Sequence, residues 1–250
     1  MNKLIINWMY PDVLHLHGDR GNLMALARVG GFLGLAIEIR RQETPEQPAD
    51  LAEGDMLVFT AGELRCMPRL VQALEKQRPE LEAFVAAGKP ILAVANSGAI
   101  LAQQTQFLDG GSFPGLGLLR MTCRERERVY GDDLAFNLPD GLEILGSQIQ
   151  VMDTQLLEGQ EPLGVLSYGR GNNSGQVQLG GGPEGARSGQ VIFTNTLGPL
   201  LVKNPRFAAR LLQAAAQAKG LDISAELRPE LVELEDKSAL LIKEFIRRKQ

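Results

Sequence analysis

The amino-acid sequence predicts an α/β fold: a mostly parallel sheet flanked by helices, followed by a C-terminal helical extension. Residues 56–60 and 90–94 are short, continuous apolar runs, which are typical of strands buried on both faces. Each run ends at a loop of small residues, and a helical pattern follows. Strands that alternate with helices in this way favour parallel pairing, with helices covering both faces of the sheet.

The first half of the chain contains four predicted strands and three predicted helices. The strands lie at residues 4–8, 36–40, 56–60 and 90–94, and the helices lie at residues 23–33, 69–87 and 99–107. The second helix is expected to stop at Gly88, because glycine readily adopts the left-handed conformation that closes a helix.

Beyond residue 110 the pattern changes to strands joined by glycine-rich loops. These strands are predicted at residues 118–129, 142–152, 163–167, 176–179 and 191–195. The glycine-rich run at residues 180–185 (GGGPEG) predicts an exposed, flexible tip.

Two helices, at residues 204–219 and 229–248, form the predicted C-terminal extension. We therefore divide the chain into an α/β domain, residues 1–203, and C-terminal helices, residues 204–250, packed on the same domain or on a partner. The last helix carries one apolar stripe, which consists of Leu231, Leu234, Ala239, Leu241, Ile242 and Phe245.

Cysteine and histidine are scarce, and their scarcity excludes several kinds of chemistry. Two cysteines cannot build a disulfide framework or a multi-thiolate metal cluster. Both histidines, His15 and His17, lie near the N-terminus, so no mechanism can use a histidine from later in the chain. We expect neither a metal site nor a cofactor.

Charge and hydropathy bear on the partners and on the compartment. The net charge of −4 disfavours attraction to nucleic acid or to an anionic membrane surface. No apolar stretch approaches the roughly 20 residues that a membrane span needs. The N-terminal apolar run lacks the small-residue cleavage site of a signal peptide and is interpreted as a first strand. We expect a cytoplasmic protein that binds no nucleic acid and inserts into no membrane.

Three loops follow predicted parallel strands, at residues 17–22 (HGDRGN), 61–66 (AGELRC) and 95–98 (ANSG). Ligands bind beyond the carboxyl ends of such strands, so these loops are expected to converge. The third loop is a weak form of a hydrolase nucleophile elbow around Ser97. That mechanism needs a histidine after the serine, and this chain has none.

Motifs at five places resemble, in the right order, those of one protein family. They are residues 17–22 (HGDRGN), 59–65 (FTAGELR), 115–119 (GLGLL), 168–173 (YGRGNN) and 197–205 (LGPLLVKNP). The chain resembles the triad-type (class I) glutamine amidotransferases, in particular the cobyric acid synthase-like branch and the amidotransferase subunits of lipid II isoglutaminyl synthases. The resemblance covers nearly the whole chain and implies a flavodoxin-like fold.

In that family a cysteine on the elbow attacks the carboxamide of glutamine, a histidine transfers protons, and ammonia passes to a synthetase. The resemblance places Ala95 at the cysteine position and Leu197 at the histidine position. An alkyl side chain supplies neither a thiolate nor a proton carrier. We therefore expect a catalytically degenerate subunit that binds or regulates a Mur-ligase-like synthetase, as a heterodimer, in the amidation of a peptidoglycan precursor.

A relocated site is the alternative, in an active amidotransferase or another hydrolase. Cys66 follows the third strand and His17 follows the first, so the two could share a crevice. Glu63 or Asp19 would then orient the imidazole. If Cys66 has no such role, it is a small, inert apolar residue.

Seven residues of the three loops are candidates for holding a ligand. Asn22 can cap the helix that follows it, and the amides of that helix could bind an anion. The loop could equally serve only to build the turn from strand to helix. The seven candidates are Gly18, Asp19, Arg20, Asn22, Arg65, Asn96 and Ser97.

Overall fold

The computed structural model describes residues 2–173 and 179–249 of the chain. In chain order the strands are β1 (Asn2–Met9), β2 (Leu35–Gln42), β3 (Met56–Phe59), β4 (Ile91–Val94), β5 (Gln104–Gln106), β6 (Ser112–Pro114), β7 (Met121–Asn137), β8 (Glu143–Leu156), β9 (Gly164–Tyr168), β10 (Pro183–Glu184), β11 (Ala186–Ser188) and β12 (Val191–Thr194). The helices are α1 (Arg20–Phe32), α2 (Met67–Glu75), α3 (Arg78–Ala86), α4 (Gly98–Leu101), α5 (Leu200–Lys203), α6 (Pro205–Ala218) and α7 (Glu233–Lys249). Residues 176–178 of the strand predicted at 176–179 lie outside the described residues.

The first sheet has the strand order β2–β1–β3–β4–β12–β11, in which the first five strands are parallel and β11 is antiparallel. Every residue of β3, β4 and β12 is buried, because helices cover both faces. One face packs against α1 and α6, and the other packs against α2, α3 and α4. This arrangement confirms the predicted α/β fold.

A second, mostly antiparallel sheet contains the strands predicted at residues 118–129, 142–152 and 163–167, whereas the strand predicted at residues 191–195 is β12 of the first sheet. The order of the second sheet is β10–β9–β7–β5–β6, and the long strand β8 pairs with β7. β8 packs against the turn at residues 95–97, and Ser147 on this strand forms an isolated bridge with Leu197. The second sheet therefore lies against the end of the first sheet where a ligand is expected.

The helix predicted at residues 69–87 is two helices, α2 and α3, so the prediction of a single helix is wrong. Pro79 lies in the first turn of α3, where its missing N–H costs nothing, whereas inside a continuous helix it would remove a hydrogen bond. Between the two helices, the Gln77 side chain accepts from the N–H of Ala49 at 2.7 Å and donates to its carbonyl at 2.8 Å. The break is thereby tied to the loop that precedes β3.

The prediction of a helix at residues 99–107 is also wrong, because α4 ends at Leu101. Ala102 is extended, with a ψ of 167°, and the chain then enters β5. The N–H of Gln103 donates to the carbonyl of Met121 at 2.9 Å, and Thr105 is fully buried. Pairing with β6 and β7 satisfies the backbone groups that a longer helix would have used.

The two C-terminal helices differ in how much of their surface they bury. α6 corresponds to the helix predicted at residues 204–219 and packs in the same apolar core as α1. α7 begins at Glu233, later than the predicted start at residue 229. Only part of its apolar stripe packs against the second sheet. Ala239 and Ile242 of the stripe pack there together with Ile246, which lies outside the stripe. Leu231 precedes α7 and packs against the core that contains α1 and α6. The exposed residues of the stripe are Leu234, Leu241 and Phe245.

Candidate functional site

The turn between β4 and α4 has the backbone geometry of a nucleophile elbow but carries a methyl group at its tip. Ala95 follows β4 directly and has a φ of 52°, in the left-handed region that non-glycine residues rarely adopt. A sharp strand-to-helix turn of this kind is how α/β enzymes present a nucleophile. In this chain the residue at the tip is buried and holds no atom that can attack a carbonyl carbon.

Ser97, the hydroxyl residue of the same turn, serves to build it. Its Oγ accepts the N–H of Val94 at 2.9 Å and donates to the carbonyl of Phe59 at 3.0 Å. The side chain is fully buried. Ser97 therefore fastens the turn to the ends of β3 and β4.

The side chain of Asn96 forms hydrogen bonds with both backbone polar groups of Gly62, in the loop after β3. The N–H of Gly62 donates to Asn96 Oδ1 at 3.2 Å, and Asn96 Nδ2 donates to the carbonyl of Gly62. A backbone N–H beside the elbow is the kind of donor that an oxyanion hole needs. Because Asn96 already accepts from this N–H, the donor is not free to stabilise an oxyanion.

Leu197, on the loop after β12, is almost completely buried. Its N–H donates to the carbonyl of Ser147 on β8 at 2.7 Å, and the N–H of Ser147 donates back at 3.3 Å. The isobutyl side chain belongs to the same apolar cluster as Ala95. The side chains of the elbow tip and of Leu197 thus both lie in the apolar core, and neither can carry a proton.

Asp19 is a buried carboxylate that joins the loop after β1 to the loop after β3. Its Oδ2 accepts the N–H of Ala61 at 3.0 Å, and its Oδ1 accepts from Asn22 Nδ2 at 3.3 Å. Burial raises the pKa of the Asp19 carboxyl from 3.8 to about 6, and the two hydrogen bonds oppose that rise. Together with the bonds of Asn96, these contacts bring the three loops together.

Asn22 extends this connection to the helix that follows Leu197. It is fully buried, and its Oδ1 accepts the N–H of Leu201 at 2.8 Å. This N–H belongs to the first turn of α5, whose free amides would otherwise need another acceptor. The side chain of Asn22 therefore acts between two elements of the protein, and both of its polar atoms have protein partners.

The remaining loop candidates lie at the surface. His17, Gly18, Arg20 and Glu63 are exposed, and Cys66 is half-buried at the end of a short 3₁₀ turn. In the part of the chain that the structure describes, no hydrogen bond joins the Cys66 thiol to the His17 imidazole. The relocated site built on these two side chains stays a prediction.

Arg65 is held by acidic side chains. Its guanidinium donates to Asp109 at 2.8 Å and to Glu125 at 3.1 Å. It also lies over the ring of Phe107, 4.1 Å from the ring centre. Two carboxylates already balance its charge, so a third anion would have to compete with them.

A buried acidic residue for which the sequence gives no signal lies in β10, against the end of β12. Glu184 accepts from Thr194 Oγ1 and from the N–H of Asn195, both at 2.8 Å, and from Asn195 Nδ2 at 3.0 Å. Asn172 Oδ1 in turn accepts from Asn195 Nδ2 at 2.9 Å. Burial raises the pKa of the Glu184 carboxyl. The prediction of an exposed tip at residues 180–185 is wrong at this position, because Glu184 is fully buried.

Neither a metal cluster nor a membrane helix is found in the described residues. Across residues 2–173 and 179–249, no group of three or more histidine, cysteine or acidic side chains is placed to hold a metal ion. Over the same ranges, every helix is too short or too polar to cross a bilayer.

Known proteins align with nearly the whole chain, although no protein-family model matches it. The GatD subunit of the lipid II isoglutaminyl synthase (glutamine-hydrolyzing) of Streptococcus pneumoniae is 25% identical over 224 residues, which are 88% of this chain and 84% of the relative. The same subunit of Staphylococcus aureus is 24% identical over 242 residues, which are 96% of each chain. The pyridoxal 5'-phosphate synthase subunit PdxT of Renibacterium salmoninarum is 32% identical over 171 residues, which are 59% of this chain and 71% of the relative.

The fold also matches a solved structure described as a glutamine amidotransferase, with a TM-score of 0.54 and 20% identity. The match covers 84% of this chain and 98% of that one. The chain belongs to the glutamine amidotransferase family. Membership confirms the family resemblance carried by the five motifs.

Proposed function

We propose that the chain is a catalytically degenerate glutamine amidotransferase-like subunit. In this proposal it binds and regulates a Mur-ligase-like synthetase that amidates a peptidoglycan precursor. The two relatives named as subunits of lipid II isoglutaminyl synthase support this pathway, since they align over 84% and 96% of their own lengths. Within the family, the cobyric acid synthase-like branch is the one whose motifs the chain carries.

The observation that carries the degeneracy is the pair Ala95 and Leu197. Hydrolysis of glutamine by a thiol needs a thiolate, an imidazole to transfer the proton to the departing ammonia, and free donors for the oxyanion. The elbow tip is a methyl group, and the facing loop contributes an isobutyl group. The N–H of Gly62 donates to Asn96. These residues support the proposal, because neither position carries a thiol or an imidazole and one candidate oxyanion donor is already in use.

A scaffold that keeps its backbone without its chemistry can still act by binding. The three loops remain cross-linked through Asp19, Asn22 and Asn96, so the end of the first sheet keeps a defined shape. A synthetase bound to it would take ammonia from solution, because this subunit would release none. The subunit would then stabilise the synthetase or set its activity.

The test is an amidation assay of the complex. The chain is co-purified with a Mur-ligase-like synthetase from the same organism. Amidation of a lipid-linked precursor is then measured with glutamine or with ammonium chloride as the nitrogen source. We expect amidation with ammonium and none with glutamine, and a difference in rate between the synthetase alone and the complex. Amidation supported by glutamine would contradict the degeneracy, and failure to co-purify would contradict the role as a subunit.

A further inference from the structure

α7 is held against the protein along one side only. Its Lys249 donates to Asp132 at 2.6 Å and to Asp133 at 2.8 Å, and its Asp236 accepts a two-point contact from Arg206. Ile246, which is 7% exposed, anchors the apolar contact with the second sheet. The side of the helix that faces away from these contacts is solvent-exposed.

That exposed side carries a row of large apolar residues. Leu234 is 75% exposed, and Leu241 and Phe245 are each 58% exposed. Their spacings of seven and four residues place them on one line along a helix. Single exposed leucines are common on protein surfaces, but an aligned row of three marks an interaction surface.

A row of charged residues runs beside this apolar row. It consists of Glu233, Lys237, Glu244 and Arg248, and all four residues are exposed. Glu233 and Lys237 form an ion pair within the helix at 2.6 Å. In the described part of the chain, Glu244 and Arg248 have no ion pair. The signs alternate along the helix: negative, positive, negative, positive.

Because of this alternation, the charged row is complementary to a second copy of the same row that runs in the opposite direction. If a second α7 lies antiparallel, one register places Glu233 opposite Arg248 of the other copy and Lys237 opposite Glu244. The twofold axis repeats both pairs, so a single register forms four ion pairs. The same crossing brings Leu234 next to Phe245 of the other copy and Leu241 next to its counterpart near the axis. In a parallel arrangement the twofold axis would place the two charged rows on opposite sides of the apolar contact, so these ion pairs would not form.

We propose that the outer face of α7 is a self-association surface, on which two copies of this chain pair antiparallel about a twofold axis. The apolar row together with the charged row would bury about 1,000 Å² in the pair, at the lower limit of specific interfaces. The dimer is therefore reversible and sensitive to salt, because exposed ion pairs are screened. A partner of unrelated sequence would have to reproduce the reversed charge order, whereas a second copy contains it.

The test is sedimentation equilibrium of the full chain, at concentrations from about 1 to 100 µM, which spans the affinity expected of so small an interface. We expect the wild type to dimerise. Lys237→Glu and Glu244→Lys, each made alone, place like charges opposite one another twice in the dimer. Each single change is expected to weaken association about tenfold or more.

The double variant, Lys237→Glu with Glu244→Lys, restores the complementarity and is expected to associate within about threefold of the wild type. Arg247→Glu is the matched control, because this exposed residue lies on α7 outside the charged row, and its association is expected to stay unchanged. Circular dichroism verifies that α7 is folded in each variant.

A chain that stays monomeric over the whole concentration range would overturn the proposal. So would single variants that weaken association without recovery in the double variant, because the register would then be wrong. If the chain is monomeric alone and Leu241→Glu instead weakens binding of the synthetase, the face belongs to that partner. None of these results depends on whether the chain hydrolyses glutamine, so they leave the proposed function to its own test.

Discussion

The polar side chains at the end of the first sheet are buried, whereas the apolar side chains on the outer face of α7 are exposed. At the end of the sheet, the side chains of Asp19, Asn96 and Glu184 turn inward and each bonds to a backbone group of the protein. On α7, Leu241 and Phe245 turn outward and remain uncovered. A catalytic crevice needs polar groups that wait for a substrate, and the first region keeps few. The difference is what the proposed binding role predicts, because such a role needs an uncovered surface and no waiting catalytic groups.

The largest loss of stability is expected from a substitution among the buried polar residues at the end of the first sheet. Glu184→Ala removes an acceptor of three hydrogen bonds and leaves Thr194 and Asn195 with buried donors that have lost a partner. We expect the free energy of unfolding to fall by about 3 kcal/mol, measured by urea denaturation. Glu127→Ala, at an exposed glutamate, is the control and is expected to change it by less than about 0.5 kcal/mol. A small effect of Glu184→Ala would mean that the polar groups here are not interdependent.

The pH dependence of folding stability tests whether Asp19, at the end of the first sheet, is buried. Because burial raises its pKa from 3.8 to about 6, the folded state holds a proton that the unfolded chain releases between these values. Folding stability is therefore greatest below pH 4 for this group and falls as the pH rises through about 6, by about 2–3 kcal/mol. Asp19→Asn has no such group, so its stability relative to the wild type should increase over this range.

The measurement is urea denaturation of both proteins at several pH values from 4 to 7. Asp12→Asn, at an exposed aspartate, serves as the matched control and should run parallel to the wild type. A difference between Asp19→Asn and the wild type that does not change with pH would show that the carboxyl is solvated.

The smallest effect compares the two faces of α7 directly. Ile246→Ala opens a cavity against Leu145 and Tyr168 and should cost about 2 kcal/mol of unfolding free energy. Leu241→Ala removes an exposed side chain and should cost less than about 0.5 kcal/mol. Both are measured at low protein concentration, where self-association does not contribute. Equal costs would mean that the outer face is covered within the monomer.

The order of strands and helices in the first sheet could be predicted because each signal is local. The buried runs that form β3 and β4 are visible in a window of five residues, and small residues follow both. β5 could not be predicted in this way, because Thr105 is buried by pairing with Phe113 and Cys123, which lie outside such a window. Residues 104–106 therefore form a strand, although the local pattern over residues 99–107 favours a helix.

The candidate site likewise contains residues with a local sequence signal and residues without one. Ala95 and Leu197 could be proposed from the sequence because each lies on a local pattern, a turn of small residues after a buried strand and the motif at residues 197–205. The burial of Glu184 depends on Asn172 and Asn195, which are brought to it by separate loops. Its own surroundings, a run of glycines, predict exposure. A buried polar network is a property of the assembled chain, and its members carry no local sign of it.

The most direct test of the account is covalent trapping with the glutamine analogue acivicin. The full chain is incubated with the analogue, alone and with the synthetase, and intact-mass spectrometry with peptide mapping follows. An active relative serves as the positive control for the reagent. We expect this chain to keep its unmodified mass in both samples, because the residue at the elbow tip, Ala95, has no thiol. An adduct mapped to Cys66 would contradict the account and establish the relocated site in its place.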